Sequence, residues 1–205
     1  SGYSNLYFEL KTKTGFIDHL LDIPRKGNTV IGFSLNPESI IAKEEGASAS
    51  LSERLEAADK AVRNGFLLAF HFDPILRIPA WEEAYSSVVK QLSRFPAEKV
   101  AWVSLGTFRY TSGLKDRIEQ RRYLFDEFVP CNDGKFRYVQ KTRSRIYRTV
   151  KSYVERSLPL VPIYMCMESS AMWRKVFGGI PLSGNMQPVN KLFQQPKGVS
   201  FYRQQ

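Results

Sequence analysis

The chain has 205 residues, a formal charge of +10 from 30 lysines and arginines against 20 acids, and 43% hydrophobic residues. That is about one domain's length and enough for a core. With 24% charged residues and no apolar run of 18 or more, a membrane span is excluded, and low-complexity disorder is argued against for most of the length. Two cysteines, Cys131 and Cys166, are too few for a disulfide scaffold, a four-thiolate zinc site or the three-thiolate nest of an iron–sulfur cluster, so no metal site is expected. The N-terminus shows no charged leader with an apolar core, and the expected compartment is the reducing cytoplasm.

A short β-rich run, a turn and a helix-period segment recur along the chain. The first run, Leu6 to Thr12, leads into Phe16–Leu21. The second, Thr29 to Leu35, ends in Ser34-Leu35-Asn36-Pro37, where Pro37 suits a helix start. Ser50 with Glu53 makes a capping box, the stripe Leu51, Leu55, Ala58, Val62 gives one apolar face, and Asn64-Gly65 supplies the stop. Phe66 to Phe72 reads as a strand buried on both faces, ended by Asp73-Pro74, and Trp81 to Phe95 as the next helix.

Val100 to Leu105 and Leu114–Arg122 form a fourth strand–helix pair, and Val161 to Cys166 with Ser169–Phe177 a fifth. This alternation predicts an α/β fold with a parallel sheet. Five βα units are too few for a closed barrel of about 250 residues, so a partial (β/α) barrel is expected. Between the fourth and fifth pairs lies an insertion of about residues 123–141, read as a β-hairpin around Asn132-Asp133-Gly134 and followed by a helix from Thr142 to Ser157. Residues 1–180 are expected to form the barrel portion, and the tail from Pro181 to Gln205 to be irregular.

In parallel α/β sheets ligands lie beyond the carboxyl ends of the strands. The polar residues there are Lys13, then Ser34 and Asn36, then His71 and Asp73, then Gly106 and Thr107, and finally Cys166 and Glu168. Lys13 could hold an anion, and Ser34 and Asn36 a polar ligand, although Asn36-Pro37-Glu38 also reads as a plain helix start. His71 and Asp73, two apart on a strand, share a face, which allows a pair for proton transfer or metal binding; a satisfied core histidine is the alternative. Cys166 reads as an ordinary buried thiol. No Gly-rich phosphate cradle, zinc helix or hydrolase elbow is present.

The strongest electrostatic feature is Lys135, Arg137, Lys141, Arg143, Arg145, Arg148 and Lys151, with no acid between Gly134 and Val154. Phe136, Tyr138 and Tyr147 interleave with it. Ile146, Val150 and Val154 form the buried stripe of the helix, so some of these cations must face solvent or phosphate. Basic residues with aromatics point to nucleic acid, because cations displace counterions from phosphates and rings stack on bases; a merely solvated face is the alternative.

Lys11-Thr12-Lys13 with Ile17-Asp18-His19-Leu20-Leu21, then Phe33-Ser34-Leu35-Asn36-Pro37, Arg54-Leu55-Glu56-Ala57-Ala58, Gly65-Phe66 through Phe72-Asp73-Pro74-Ile75, Trp81-Glu82-Glu83 and Gly134-Lys135-Phe136-Arg137-Tyr138 together resemble the spore photoproduct lyase family of radical S-adenosylmethionine proteins, over about residues 6 to 178. The resemblance implies a partial (β/α)6 barrel with S-adenosylmethionine along the strand ends. In the namesake enzymes it implies reversal of a thymine–thymine DNA lesion through a 5′-deoxyadenosyl radical. Lys13, Ser34 and Asn36 match positions near the cofactor, and strand-end position adds His71 and Asp73 to the expected cofactor-binding set. Lys135, Arg137 and Tyr138 match the hairpin used against DNA, and Arg145 on the following helix joins them.

The family's Cys-x-x-x-Cys-x-x-Cys motif, hydrogen-donating cysteine and relay tyrosines belong to an N-terminal half that this sequence lacks. The chain is therefore expected to be the C-terminal half of a larger protein. S-adenosylmethionine and a 4Fe-4S cluster are expected in the full-length protein and neither on this chain, which alone is expected to lack lyase activity. DNA is the expected partner, no membrane is, and open sheet edges are expected to promote self-association. The alternatives are a nucleic-acid-binding module without chemistry, or a radical enzyme acting on another substrate.

Overall fold

In the computed structural model, which describes residues 7–24, 26–115, 121, 127–181 and 202–203, strand–helix alternation builds a five-stranded parallel sheet. Strand β1 (Phe8–Thr12) runs into the single turn α1 (Asp18–Leu21), and β2 (Thr29–Ser34) into α2 (Glu38–Glu44) and α3 (Leu51–Arg63). Strand β3 (Leu67–Ile75) precedes α4 (Trp81–Lys90), which continues as a 3-10 turn over Gln91–Arg94, and β4 (Val100–Thr107) follows. The insertion comprises β5 (Arg109–Thr111), the turn α5 (Ser112–Lys115), β6 (Phe128–Pro130), β7 (Lys135–Tyr138) and the long α6 (Gln140–Ser157). Strand β8 (Ile163–Met165) and α7 (Ser170–Phe177) complete the main body, and β9 (Ile180–Pro181) pairs antiparallel with β10 (Tyr202–Arg203).

The sheet order is β1-β2-β3-β4-β8, every pair parallel, so the insertion sits between neighbouring strands as expected. One face carries Ile31, Phe33, Leu68, Phe70, Phe72, Val103 and Leu105 into the main core beneath α3, α4, α6 and α7. Helix α3 is stopped at its N-terminus by the capping box: Ser50 Oγ accepts from the Glu53 N–H at 3.2 Å, and Glu53 Oε2 from the Ser50 N–H at 2.7 Å. The other face holds the small cluster Val30, Ala69 and Trp102, then turns polar toward the strand ends. In register there, Ser34, His71, Ser104 and Tyr164 form one row across β2, β3, β4 and β8.

Two expectations are corrected. Strand β3 does not end at Asp73-Pro74: it continues to Ile75, because a register irregularity between Phe72 and Ile75 accommodates the proline, which cannot donate to a ladder. The inserted hairpin β6–β7 gains a third strand, β5, giving an antiparallel sheet in the order β5-β7-β6. The predicted helix Leu114–Arg122 and the start of the insertion at Tyr123 lie mostly outside the described residues, as does most of the tail beyond Pro181.

Among the described residues β1 pairs with β2 alone and β8 with β4 alone, leaving both edges of the sheet open. No helix of the described residues is long and apolar enough to cross a membrane. Open edges are templates for another strand, so light scattering on the 23.6 kDa chain is expected to give masses above one protomer. A single monomeric species across a hundredfold range of concentration would refute this.

Candidate functional site

At the ends of β1 and β2 the rim is organised by a carboxylate that the sequence did not single out. Glu45, just past α2, takes the Asn36 Nδ2 amide at 2.8 Å, the Lys13 ammonium at 3.1 Å and an Arg54 Nη2 at 2.6 Å. Arg54 is fully buried and directs its other donors to the carbonyls of Ser34 and Ala49 and to the Ser48 hydroxyl. Asn36 Oδ1 accepts from the Tyr85 hydroxyl at 2.9 Å, which accepts the Leu76 N–H in turn. Burial pushes the Glu45 carboxyl up, but hydrogen bonds from Asn36, Arg54 and Lys13 outweigh it and hold the group below its ordinary value. Lys13, Ser34 and Asn36 thus converge on one rim; Ser34 and Asn36 are buried, and Lys13 remains 44% exposed.

On the polar face, His71 and Asp73 do not form the pair that their spacing allows. His71 hydrogen-bonds Ser104 Oγ through Nδ1 at 2.7 Å and the Glu9 carboxylate through Nε2. Glu9 reaches it from β1 across β2 because Gly32 leaves the space: a Cβ there would lie 2.3 Å from Glu9 Oε1 and 2.8 Å from His71 Nε2. Asp73 pairs instead with Arg109 on β5, whose Nη1 lies 2.9 Å from Oδ1, over a second such gap at Gly106. Burial, then the charge of Asp73 and a hydrogen bond to it, push the Cys166 thiol up, so it stays protonated. Burial raises the Tyr164 phenol likewise. Glu9, His71 and Ser104 have the composition of a hydrolytic triad, but Ser104 is 1% exposed and cannot meet a substrate.

Beyond Asp73 opens a pocket of about 420 Å³, lined by Pro74, Phe108, Arg109, Tyr110, Leu114 and Lys135 among others. It lies between the main sheet and the antiparallel sheet, which is held by its own aromatics. Tyr110 stacks on Phe136 at 5.4 Å, and Phe128 packs against Tyr110 and Tyr138. The rings interleaved with the basic run are therefore largely structural: Tyr138 is fully buried, with its hydroxyl accepting the Arg77 N–H, and is not placed to stack on a base.

The cations of the run are also more committed than their sequence suggests. Arg137 is 6% exposed and doubly hydrogen-bonded to Asp133 in its own hairpin, which holds that carboxyl well below the usual range. Arg143 is buried near Glu168, Arg148 donates to the Lys175 carbonyl near the end of α7, and Lys151 pairs with Glu155. Lys135 borders the pocket, and Arg145, 66% exposed, meets Glu82 on α4. Among the described residues no group of three or more His, Cys, Asp or Glu could hold a metal ion.

Glu9, Glu45, Arg54 and Arg109 escaped the reading of the sequence because their partners lie on other elements. A legible sign was nonetheless there: a glycine inside a strand marks close approach of another group, and Gly32 and Gly106 both do so.

The family model for spore photoproduct lyase matches residues 2–164. The spore photoproduct lyase of Geobacillus sp. is 32% identical over 166 residues, covering 72% of this chain and 47% of that protein. The one from Bacillus subtilis is 28% identical over 164 residues, with the same shares covered. Among solved structures, spore photoproduct lyase complexed with dinucleoside spore photoproduct superposes with a TM-score of 0.66 at 26% identity, covering 78% of this chain and 51% of that one. A variant with bound AdoMet and dinucleoside spore photoproduct gives 0.65 at 25% identity over the same shares. The chain spans about half the length of the curated relatives it matches.

Proposed function

Because the chain belongs to the spore photoproduct lyase family, we propose that it supplies the cofactor-facing rim and the nucleic-acid-facing hairpin of a radical S-adenosylmethionine lyase acting on a thymine lesion in DNA. The observation that carries this reading is the convergence of Lys13, Ser34 and Asn36 at the carboxyl ends of β1 and β2, with Asp73, near the end of β3, on a pocket that opens toward the hairpin sheet; His71, at the middle of β3 and buried, braces the sheet through Ser104 and Glu9.

The rim suits S-adenosylmethionine in its chemistry. Lys13 offers a half-exposed ammonium to a carboxylate, and the buried Asn36, fixed between Glu45 and Tyr85, holds the carboxylate that positions that ammonium. When bound, that cofactor supplies the hydrogen-abstracting group; these residues bind and orient. The residues of this chain do not suit an iron–sulfur cluster, since one thiol lies in the hairpin turn and the other at the end of β8. Cluster and hydrogen donor are assigned to the part of the family's length that this chain does not span. The chain alone is then without lyase activity, and a brown, thiolate-to-iron absorbing product after anaerobic reconstitution would contradict that.

Lys135 in the hairpin and Arg145 on α6 are the side chains offered to phosphate, Arg137 braces the turn through Asp133, and Tyr138 ties the sheet to the segment just after β3 by accepting the Arg77 N–H. Fluorescence anisotropy with a thymidine-rich oligonucleotide is expected to give an affinity that falls with salt. Combining Lys135→Gln with Arg145→Gln is expected to lower the log–log slope by about two, about one for each phosphate that is no longer neutralised. Binding indifferent to salt, or no binding at low salt, would remove the nucleic-acid reading.

A further inference from the structure

Charges at the ends of β1 and β2 do not balance. Two cations, Lys13 and Arg54, meet one carboxylate, Glu45, within ion-pair distance. The other acids of these segments are committed elsewhere: Glu44 to Arg121, Glu38 to the Leu51 N–H and Glu53 to the Ser50 cap. One positive charge is left over, and burial decides which side chain carries it outward. The Arg54 side chain is fully buried, with its donors on the Ala49 and Ser34 carbonyls, on Ser48 and on Glu45. Lys13 is 44% exposed, and its ammonium meets Glu45 Oε1, which also accepts from Asn36. The uncompensated charge therefore faces solvent through Lys13.

Glu45 divides its oxygens between the two cations. Oε2 takes Arg54 Nη2 at 2.6 Å, and Oε1 takes Asn36 Nδ2 and Lys13. A ligand carboxylate can draw Lys13 off Oε1 without stranding Glu45, because Arg54 and Asn36 stay on it. The Glu45 side chain is itself 5% exposed, so water and salt screen its charge poorly, and it acts on whatever approaches Lys13.

We propose, resting on the reading of this rim as the cofactor site, that Glu45 is a specificity-determining residue: it cuts the outward charge of the rim to one and so excludes adenosine phosphates. Such compounds share the nucleoside of S-adenosylmethionine but end in a phosphate dianion where the cofactor ends in a carboxylate with an ammonium beside it. On a chain of net charge +10, long-range attraction favours the dianion. Selectivity then needs a term against the wrong ligand, and a fixed negative charge behind Lys13 supplies it. The carboxylate of a zwitterion meets the same repulsion at half the charge, and its ammonium offsets part of that.

The test uses the whole chain, ¹⁵N-labelled, with S-adenosylhomocysteine and adenosine 5′-monophosphate as probes at equal ionic strength. The reporter is the side-chain amide of Asn36, whose Nδ2 lies 2.8 Å from Glu45 Oε1. In wild type the homocysteine derivative is expected to shift this amide at millimolar concentration, and the monophosphate to bind there at least about tenfold more weakly. Glu45→Gln is expected to abolish or reverse that order. Lys13→Gln, which leaves the buried pair in place, is expected to lose both probes. Arg54→Met with Glu45→Gln removes one charge of each sign, returns the rim to a single cation and is expected to discriminate as wild type does. This double variant also carries the test if Glu45→Gln alone does not fold. A double variant that admits the monophosphate would show that Glu45 acts through packing, and a folded Glu45→Gln that still rejects it would show that Glu45 does not act at all; either overturns the proposal. Monophosphate bound at Asn36 in wild type as tightly as the homocysteine derivative would overturn it while leaving the cofactor reading standing. Silence of the Asn36 amide toward both probes in wild type would overturn that reading and the proposal with it.

Discussion

Arg54→Met is expected to destabilise the chain by about 3–5 kcal/mol, because it removes one member of a buried ion pair and leaves the other in place. The guanidinium is fully buried, and all its hydrogen bonds are short: 2.9 Å to each of the Ala49 and Ser34 carbonyls, 2.7 Å to the Ser48 hydroxyl and 2.6 Å to Glu45. Glu45 would keep Lys13 and Asn36, but Lys13 is half in water and compensates a buried carboxylate poorly. Changing both partners removes the stranded charge, so Arg54→Met with Glu45→Gln is expected to lose less than Arg54→Met alone. Urea unfolding of the cycle measures this; a loss below about 1 kcal/mol for Arg54→Met would mean that the pair contributes no more than an exposed one.

The same pair sets an acid limit. The Glu45 carboxyl is held below its ordinary value in the folded chain. Its contribution is therefore complete above the unfolded value of about 4.3 and is lost as pH falls through the lower folded one. In Glu45→Gln that part of the acid-side slope should be missing, while stability near neutral pH is already reduced.

The distance between what the sequence told and what it withheld follows the range of the forces involved. The capping box at Ser50 and Glu53 and the buried strands need only neighbours along the chain, and they stand where spacing placed them. Glu9 and His71 are 62 residues apart and meet only because β1 and β3 flank the same glycine, so no local pattern could join them. Strand β5 is three residues long and follows β4 after Phe108, too short to carry a period. The basic run was legible as charge but not as exposure: Asp133 lies four residues from Arg137 and Glu168 far along the chain from Arg143, and both arginines are buried against them. Topology alone brings Lys13, Ser34 and Asn36 to neighbouring strand ends, whereas the partners that fix them, Glu45, Arg54 and Tyr85, come from other elements and were not legible from spacing.

The two in-strand glycines are expected to respond unequally to alanine. Neither has the left-handed backbone that would itself forbid a side chain, so without the neighbours each substitution would stabilise by about 0.4–1 kcal/mol through the unfolded chain. At Gly32 the new Cβ would fall 2.3 Å from Glu9 Oε1, the free end of a long side chain that can swing aside, and 2.8 Å from His71 Nε2. The expected result is a broken Glu9–His71 hydrogen bond at a cost of about 1–3 kcal/mol. The chain has two histidines, so ¹⁵N imidazole spectra would report the change at His71 directly. At Gly106 the Cβ would fall 2.4 Å from Asp73 Oδ1 and 2.6 Å from its Cγ, with Asp73 Cβ at 3.2 Å. Asp73 is short and cannot retreat without its backbone, so Gly106→Ala must both overpack the sheet and break the pair with Arg109, at about 2–5 kcal/mol. Thermal melts should therefore rank wild type above Gly32→Ala and Gly32→Ala above Gly106→Ala. The reverse order, or a Gly106→Ala chain as stable as wild type, would show that the Asp73–Arg109 pair does not depend on the gap beneath it.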